Sequence, residues 1–330
     1  MPANHDIAVY AGYVKNKDSL LKSASGGIAT AISEEIINRG GYVAGAAYTR
    51  DFRGAEYIIT NQLSDLDLLR GSKYIEVNKG TIYKDVKRLL DEQKVVLFIG
   101  LPCTVAALYH FLKKEYNNLI TCELVCHGPT SAKVHEQYVD HLEKKFNSTV
   151  TSFSVRYKKK GWTPLYLRAG FADGQVYEKK FYSTEYGFAF GNMGKAPCYN
   201  CQFKGDNRTG DLTVGDFWGA NKADPFWNDN GVSVVFVHTQ KANDLLQSLH
   251  DVALFETTFE RAVERNPMVI RSKKPTPSRE KFSKLFAEKG LIYAAHHSMT
   301  AKERMKKVLR SILPENAKSF LKKLYRKMRK

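Results

Sequence analysis

Lys94-Val95-Val96-Leu97-Phe98-Ile99-Gly100-Leu101-Pro102-Cys103 is the stretch whose reading decides the fold. It is apolar without alternation up to Gly100, as expected of a strand covered on both faces. Val105, Leu108 and Leu112 follow at helical spacing, and Leu119-Ile120-Thr121-Cys122-Glu123-Leu124-Val125 reads as a second strand. Val134, Tyr138, Leu142 and Phe146 then repeat every four residues, opening near Ser131 as an N-cap. Strand, helix, strand, helix predicts a right-handed crossover and a parallel pair. Cys103 comes just after the first of these strands and Cys126 just after the second. Both are therefore expected at the carboxyl edge of an open sheet, where ligands of such sheets collect.

Further along, the pattern changes. Residues 150–157, 165–171 and 175–181 read as strands, with Asp173-Gly174 as a hairpin turn. Residues 212–214 and 232–237 add more β structure, and 261–289 reads as a looser polar section. From 300 onward two short amphipathic helices are expected, broken at Pro314, with Met305, Val308, Leu309 and Ile312 on one apolar stripe. The expected class is α/β: a parallel-sheet core with helices, then a more antiparallel α+β region and a C-terminal helical basic tail. The expected division is 1–147, 148–299 and 300–330.

The cysteines carry the sharpest chemistry. Cys198-Tyr199-Asn200-Cys201 puts two thiols on one tight loop, followed by the glycine-punctuated strand Gly210-Asp211-Leu212-Thr213-Val214-Gly215-Asp216-Phe217-Trp218-Gly219. With Cys103 and Cys126 this makes four thiols, the number that an iron–sulfur cluster or a structural zinc takes. Pro102-Cys103 and Cys126-His127-Gly128 are expected to place their thiols in loops. Cys122, inside the second strand, reads as a small buried hydrophobe and as the first substitute ligand.

Other segments bear on anions. In Ser23-Ala24-Ser25-Gly26-Gly27, two glycines precede a helix marked by Ile28, Ile32 and Ile36. That arrangement admits a phosphate at a helix N-terminus, or a plain serine cap with a tight turn. Gly71-Ser72-Lys73-Tyr74 offers a hydroxyl, an ammonium and a ring, or a bland surface turn. His127 reads first as a hydrogen-bonded structural histidine and second as a proton donor. Lys158-Lys159-Lys160 with Trp162 reads as a solvated basic loop able to attract an acidic carrier or an anionic substrate.

Composition sets the limits. The chain has 330 residues, 43% of them hydrophobic, and a net charge of +17. Residues 302–330 carry twelve Lys or Arg against Glu303 and Glu315, so +10 of that charge belongs to the tail. No apolar run is long enough to span a membrane. Residues 1–6 do not read as a secretory signal, so the reducing cytosol is the expected compartment, where C-x-x-C means metal or redox chemistry more often than a disulfide.

Taken in order, Ser25-Gly26-Gly27, Gly71-Ser72-Lys73-Tyr74, Gly100-Leu101-Pro102-Cys103, Cys126-His127-Gly128 with Ser131, and Cys198 to Gly219 resemble the beta subunit of the coenzyme F420 (deazaflavin) hydrogenase/dehydrogenase family. The likeness spans 23–270. It implies a flavin- and iron–sulfur-dependent oxidoreductase that passes electrons between a one-electron carrier and a two-electron acceptor or donor. It implies FAD, with Ser25, Gly26, Gly27, Ser72, Lys73 and Tyr74 at its phosphates and Asp216 closing its pocket. It implies a 4Fe-4S cluster on Cys103, Cys126, Cys198 and Cys201. No catalytic acid or base is assigned beyond the weak candidate His127.

Many relatives begin with a ferredoxin-like segment rich in C-x-x-C. No cysteine precedes Cys103 here, so the resemblance is to short bacterial members associated with surface-polysaccharide synthesis. Electrons are then expected from a separate ferredoxin-like carrier or a reduced coenzyme. The basic tail can lie on an anionic membrane surface, giving a cytoplasmic protein peripheral to the inner face, or can dock on protein. Nucleic acid is not an expected partner, because no aromatic stacking platform accompanies the charge. Two rival readings remain: a zinc-stabilised, non-catalytic binding or scaffold protein, and a flavin enzyme acting directly on a sugar or lipid-linked intermediate.

Overall fold

The computed structural model describes residues 8–205, 208–301 and 303–305. The helices expected within 306–330 lie outside the described residues. Among the described residues eleven strands form two sheets: β1 (Ala8–Val14), β2 (Tyr42–Tyr48), β3 (Ala55–Thr60), β4 (Val96–Gly100), β5 (Leu119–Leu124), β6 (Val150–Tyr157), β7 (Tyr166–Phe171), β8 (Val176–Lys180), β9 (Leu212–Asp216), β10 (Ser233–Val237) and β11 (Val252–Glu256). The larger sheet runs β11-β1-β10-β9-β5-β4-β2-β3, and β6-β7-β8 form the smaller.

Within the larger sheet β2, β4, β5 and β9 are parallel neighbours, while β3, β10, β1 and β11 join antiparallel. The unalternating run in β4 is explained by burial on both faces. Leu97 packs with Ile28, Ile32 and Ile36 of the Ile28–Asn38 helix. Val96 and Phe98 pack with Val86, Val105 and Leu108 from the helices Ile82–Asp91 and Pro102–Leu112 on the other side. Each such side chain contributes about 1.5–3 kcal/mol on leaving water. Cys122 is fully buried in the first of these cores, as a small hydrophobe.

The smaller sheet is antiparallel. Its hairpin turns at Gly174, whose φ of 85° only glycine adopts readily. It packs with the helices Ala132–Phe146, Glu185–Asn192 and Arg279–His297 through Tyr138, Val155, Leu167, Tyr186 and Phe282. Ser131 caps the first of these helices, its hydroxyl accepting from Lys133 N.

Two local expectations fail. The section 261–289 is not uniformly loose: the helix from Arg279 occupies its end, and Phe282 and Phe286 bury there. The non-helical Gly290 (φ 76°, ψ 179°) interrupts that helix and breaks the apolar period that would announce it. Cys103 is not in a loop but in the first turn of the helix Pro102–Leu112, where Pro102 is well suited to the leading position. Among the described residues no helix is long and apolar enough to cross a membrane.

The parallel strands are tied at β9 by a buried carboxylate. Asp211 accepts from Thr121 N at 2.8 Å, Thr121 Oγ1 at 2.9 Å and Thr239 Oγ1 at 3.0 Å, and Lys241 lies 3.1 Å away. Nearby Glu123, fully buried, accepts from Gly210 N at 2.9 Å and faces Arg208. Asp211→Ala strands these donors, and we predict a loss of about 3 kcal/mol in urea unfolding. A loss under about 1 kcal/mol would contradict this role.

Candidate functional site: a cationic cleft beside four cysteines

The carboxyl ends of the parallel strands open into a cleft of about 330 Å³, within the range of small-molecule sites. Ile99 to Leu101 at the end of β4, Leu124 to Pro129 at the end of β5, and Val214 to Asp216 of β9 form its floor. Residues 23–30 and 69–75 supply its flanks, and Trp218, Phe190 and Tyr182 add aromatic walls.

The first flank is the glycine loop. Gly27 leads the helix Ile28–Asn38 in the left-handed region (φ 85°), with no side-chain cap on the helix N-terminus. A Cβ on Gly26 would stand 2.2 Å from Gly12 O and 2.6 Å from Ser233 N, so no side chain fits there. The Ser25 hydroxyl donates to Val232 O at 2.8 Å, and Gly26 N donates to Ser233 Oγ at 3.0 Å. Ser25 and Gly27 line the cleft; Gly26 sits behind them.

The second flank holds Ser72, Lys73 and Tyr74, all lining the cleft. The Lys73 ammonium donates to Leu68 O, Leu69 O and Arg70 O at 2.8–2.9 Å. It thus closes the end of the Leu66–Leu69 helix, and burial pulls its pKa down to about 7. Tyr74 stacks on Phe190, ring centroids 4.5 Å apart, and its carbonyl accepts from Thr130 Oγ1 at 2.7 Å.

A buried ion pair closes the cleft. Arg156 of β6 meets Asp216 of β9 bidentately, Nη1 to Oδ2 at 2.8 Å and Nη2 to Oδ1 at 2.5 Å. Arg156 Nη2 also donates to Ala24 O at 2.5 Å, and Trp162 Nε1 donates to Asp216 Oδ1 at 2.8 Å. Trp162 stacks on Trp218 with planes 4° apart, and the Arg156 guanidinium lies 5.3 Å over the Trp218 ring. Asn266 Nδ2 holds Asp216 O at 2.8 Å. Arg70, half-turned into the cleft, pairs with Glu34 and Asp67.

The sequence-expected cysteines gather on one side. Cys126 lines the cleft and accepts from Gly128 N at 3.2 Å. Cys198 packs on Gly128, where a Cβ would lie 3.1 Å from Cys198 Cβ. Cys103 and Cys198 are close enough to Cys126 to disfavour its ionisation, and Cys201 acts likewise on Cys198. Burial, chiefly, pushes the Cys126 thiol up to about 11. Lys204 and Lys273 stand near these thiols, with pKa values lowered by burial. Cys103, Cys198 and Cys201 do not line the cleft itself, and Cys122 points into the core. Among the described residues no group of three or more His, Cys, Asp or Glu is set to hold a metal ion. The four soft thiols suit a cluster in number and kind, but their side chains must turn to ligate one. His127 lines the cleft, and desolvation, with the Lys204 charge nearby, holds its pKa down at about 4.

Arg156, Lys204 and Lys273 are not marked by any sequence signal as members of a site. The basic loop is only partly solvated. Lys158 is 8% exposed and donates to Leu20 O and Ser25 O at 2.6 and 2.7 Å, while Lys159 pairs with Glu178.

Residues 93–261 match the family model for the C-terminal part of the coenzyme F420 hydrogenase/dehydrogenase beta subunit. No curated protein matches the sequence. Among solved structures, the chain is similar to one from the F420-reducing NiFe hydrogenase complex of Methanosarcina barkeri. The identity is 17% and the TM-score 0.55, with 90% of this chain and 92% of that chain covered. At that identity the likeness is one of fold.

Asp216→Ala leaves the Arg156 charge buried and unpaired, which costs about 3–5 kcal/mol. In a double-mutant cycle, Arg156→Met with Asp216→Leu is predicted to cost less than the sum of the single changes by more than about 1.5 kcal/mol. Additive losses would show that the pair does not act as a unit.

Proposed function

The chain belongs to the coenzyme F420 hydrogenase/dehydrogenase beta-subunit family, and from that premise we propose an electron-transfer oxidoreductase that takes FAD in its cleft and a 4Fe-4S cluster on Cys103, Cys126, Cys198 and Cys201. One observation carries the proposal: a cationic cleft at the carboxyl edge of a parallel sheet, with an uncapped helix N-terminus on one flank and four cysteines gathered at its side. When bound, a flavin exchanges electron pairs or hydride with a two-electron partner, and an iron–sulfur cluster exchanges single electrons.

The residues present fit the flavin. Gly27 turns the chain into the Ile28–Asn38 helix at a φ of 85°, and the uncapped N–H groups and dipole of that helix favour a phosphate. Lys73 and Lys158, neither with a carboxylate at ion-pair distance among the described residues, add positive potential on either flank. Tyr74 and Trp218 present flat apolar faces, and Asp216, locked by Arg156 and Trp162, closes the wall. Ser72 and Ser25 supply polar groups beside these. Beside the thiols, Lys204 and Lys273 offset the negative charge of an assembled cluster.

The structural neighbour comes from a hydrogenase complex, which supports a separate electron-carrying partner for this chain. A role in surface-polysaccharide synthesis is part of the proposal on motif likeness. A zinc-held scaffold gives no reason for a cofactor-sized cationic cleft.

Protein purified without oxygen is predicted to carry about one flavin and about four irons per chain. Replacing Cys103, Cys126, Cys198 or Cys201 by Ser is predicted to remove most of the iron, whereas Cys122→Ser retains it. Colourless, zinc-containing protein that takes up neither FAD nor a reconstituted cluster would sink the proposal.

A further inference from the structure

We propose that Lys158 is the positioning residue of an anion-binding loop: its buried ammonium holds residues 23–27 in the shape that receives a phosphate ester or pyrophosphate. The inference rests on the reading that the cleft takes a phosphate-bearing flavin.

Lys158 follows β6 directly and reaches across to the loop. Its Nζ donates to Leu20 O in the short helix Lys17–Lys22 and to Ser25 O beyond that helix. Two residues earlier, Arg156 donates to Ala24 O. Two consecutive loop carbonyls, Ala24 and Ser25, therefore face two cations carried by one strand end. In a trans peptide the N–H points opposite to the C=O. The N–H groups of Ser25 and Gly26 are thus turned away from the cations, and Gly26 N meets Ser233 Oγ on the far side. The loop is pinned from both sides just before Gly27 turns it into the uncapped helix.

Among the described residues no carboxylate lies at ion-pair distance from Lys158; burial and the nearby Arg156 charge pull its pKa down to about 7, with Asp216 acting against them from farther off. Of the three consecutive lysines, Lys159 pairs with Glu178 and Lys160 is exposed, whereas Lys158 alone is turned inward onto oxygen atoms of the backbone. Burying an ammonium without a carboxylate partner is costly. A helix cap alone is met by a neutral donor at less expense. An anion seated on the loop supplies the missing counter-charge, and a preformed loop lowers the cost of ordering on binding. Lys158 does not line the cleft, so it acts through the loop.

The test uses the full chain and three ligands: FAD, ADP and riboflavin, the last having the ring but no phosphate. By calorimetry, Lys158→Met is expected to weaken FAD and ADP binding about tenfold or more while riboflavin changes less than about twofold. Lys158→Arg is expected to recover part of the loss. Ser233→Ala, which removes the opposite pin and leaves Lys158 in place, is expected to show the same phosphate-selective pattern at a few-fold. Equal losses for all three ligands would reduce Lys158 to a structural cap. Unchanged FAD affinity in either the Met or the Ala variant overturns the inference while leaving the flavin reading intact. A wild-type chain that binds none of the three overturns both.

Discussion

The Arg156–Asp216 pair is the interaction on which the rest depends. Arg156 belongs to the small antiparallel sheet and Asp216 ends a strand of the large one, so the pair bridges the two. Both side chains are largely withdrawn from water, at 3% and 17% exposure. Such a pair offsets its desolvation only when geometry is good and the remaining hydrogen-bonding capacity is used. Here most of it is used, on Ala24 O, the Trp162 indole and the Tyr74 hydroxyl, while the buried Arg156 Nε has no partner among the described residues. The same few atoms therefore join the two sheets, the glycine loop and the stack of Trp162 on Trp218. The cleft is a consequence of that agreement.

Around this pair, topology does the collecting. Parallel strands all present their carboxyl ends to one edge, so Cys103 after β4 and Cys126 after β5 arrive together, and the turn Ala196–Asn200 brings Cys198 to them. Each flank of the cleft is wound around an ammonium bound to backbone carbonyls, the half-buried Lys73 on one side and the buried Lys158 on the other. The result is an anion-friendly cleft next to a thiol-rich side, with Lys204 held on Cys126 O and Met268 O and Lys273 on Phe190 O.

What the sequence made legible was periodicity and punctuation. The apolar run at 94–100, the four-residue repeat after Ser131 and the Asp173-Gly174 turn each follow from local rules, and each reappears in place. The edge position of Cys103 and Cys126 follows from connectivity alone. Illegible were interactions whose partners are remote. Nothing local to Arg156 announces a carboxylate sixty residues away. Lys158 reads like its exposed neighbours because side-chain direction depends on a loop more than a hundred residues earlier. The Arg279–His297 helix was hidden by Gly290, and its burial comes from Phe188 and other distant rings. Lys73 stands where the motif places it, but its ammonium serves a helix end.

We propose that this cleft, and no other surface, receives the flavin. Hydrogen–deuterium exchange of the full chain with and without FAD tests it most directly. Slowed exchange is predicted, confined to residues 23–30, 69–77, 124–130 and 212–218, which come from four separate parts of the sequence. Protection elsewhere with these segments unchanged, or no protection at saturating FAD, would contradict it.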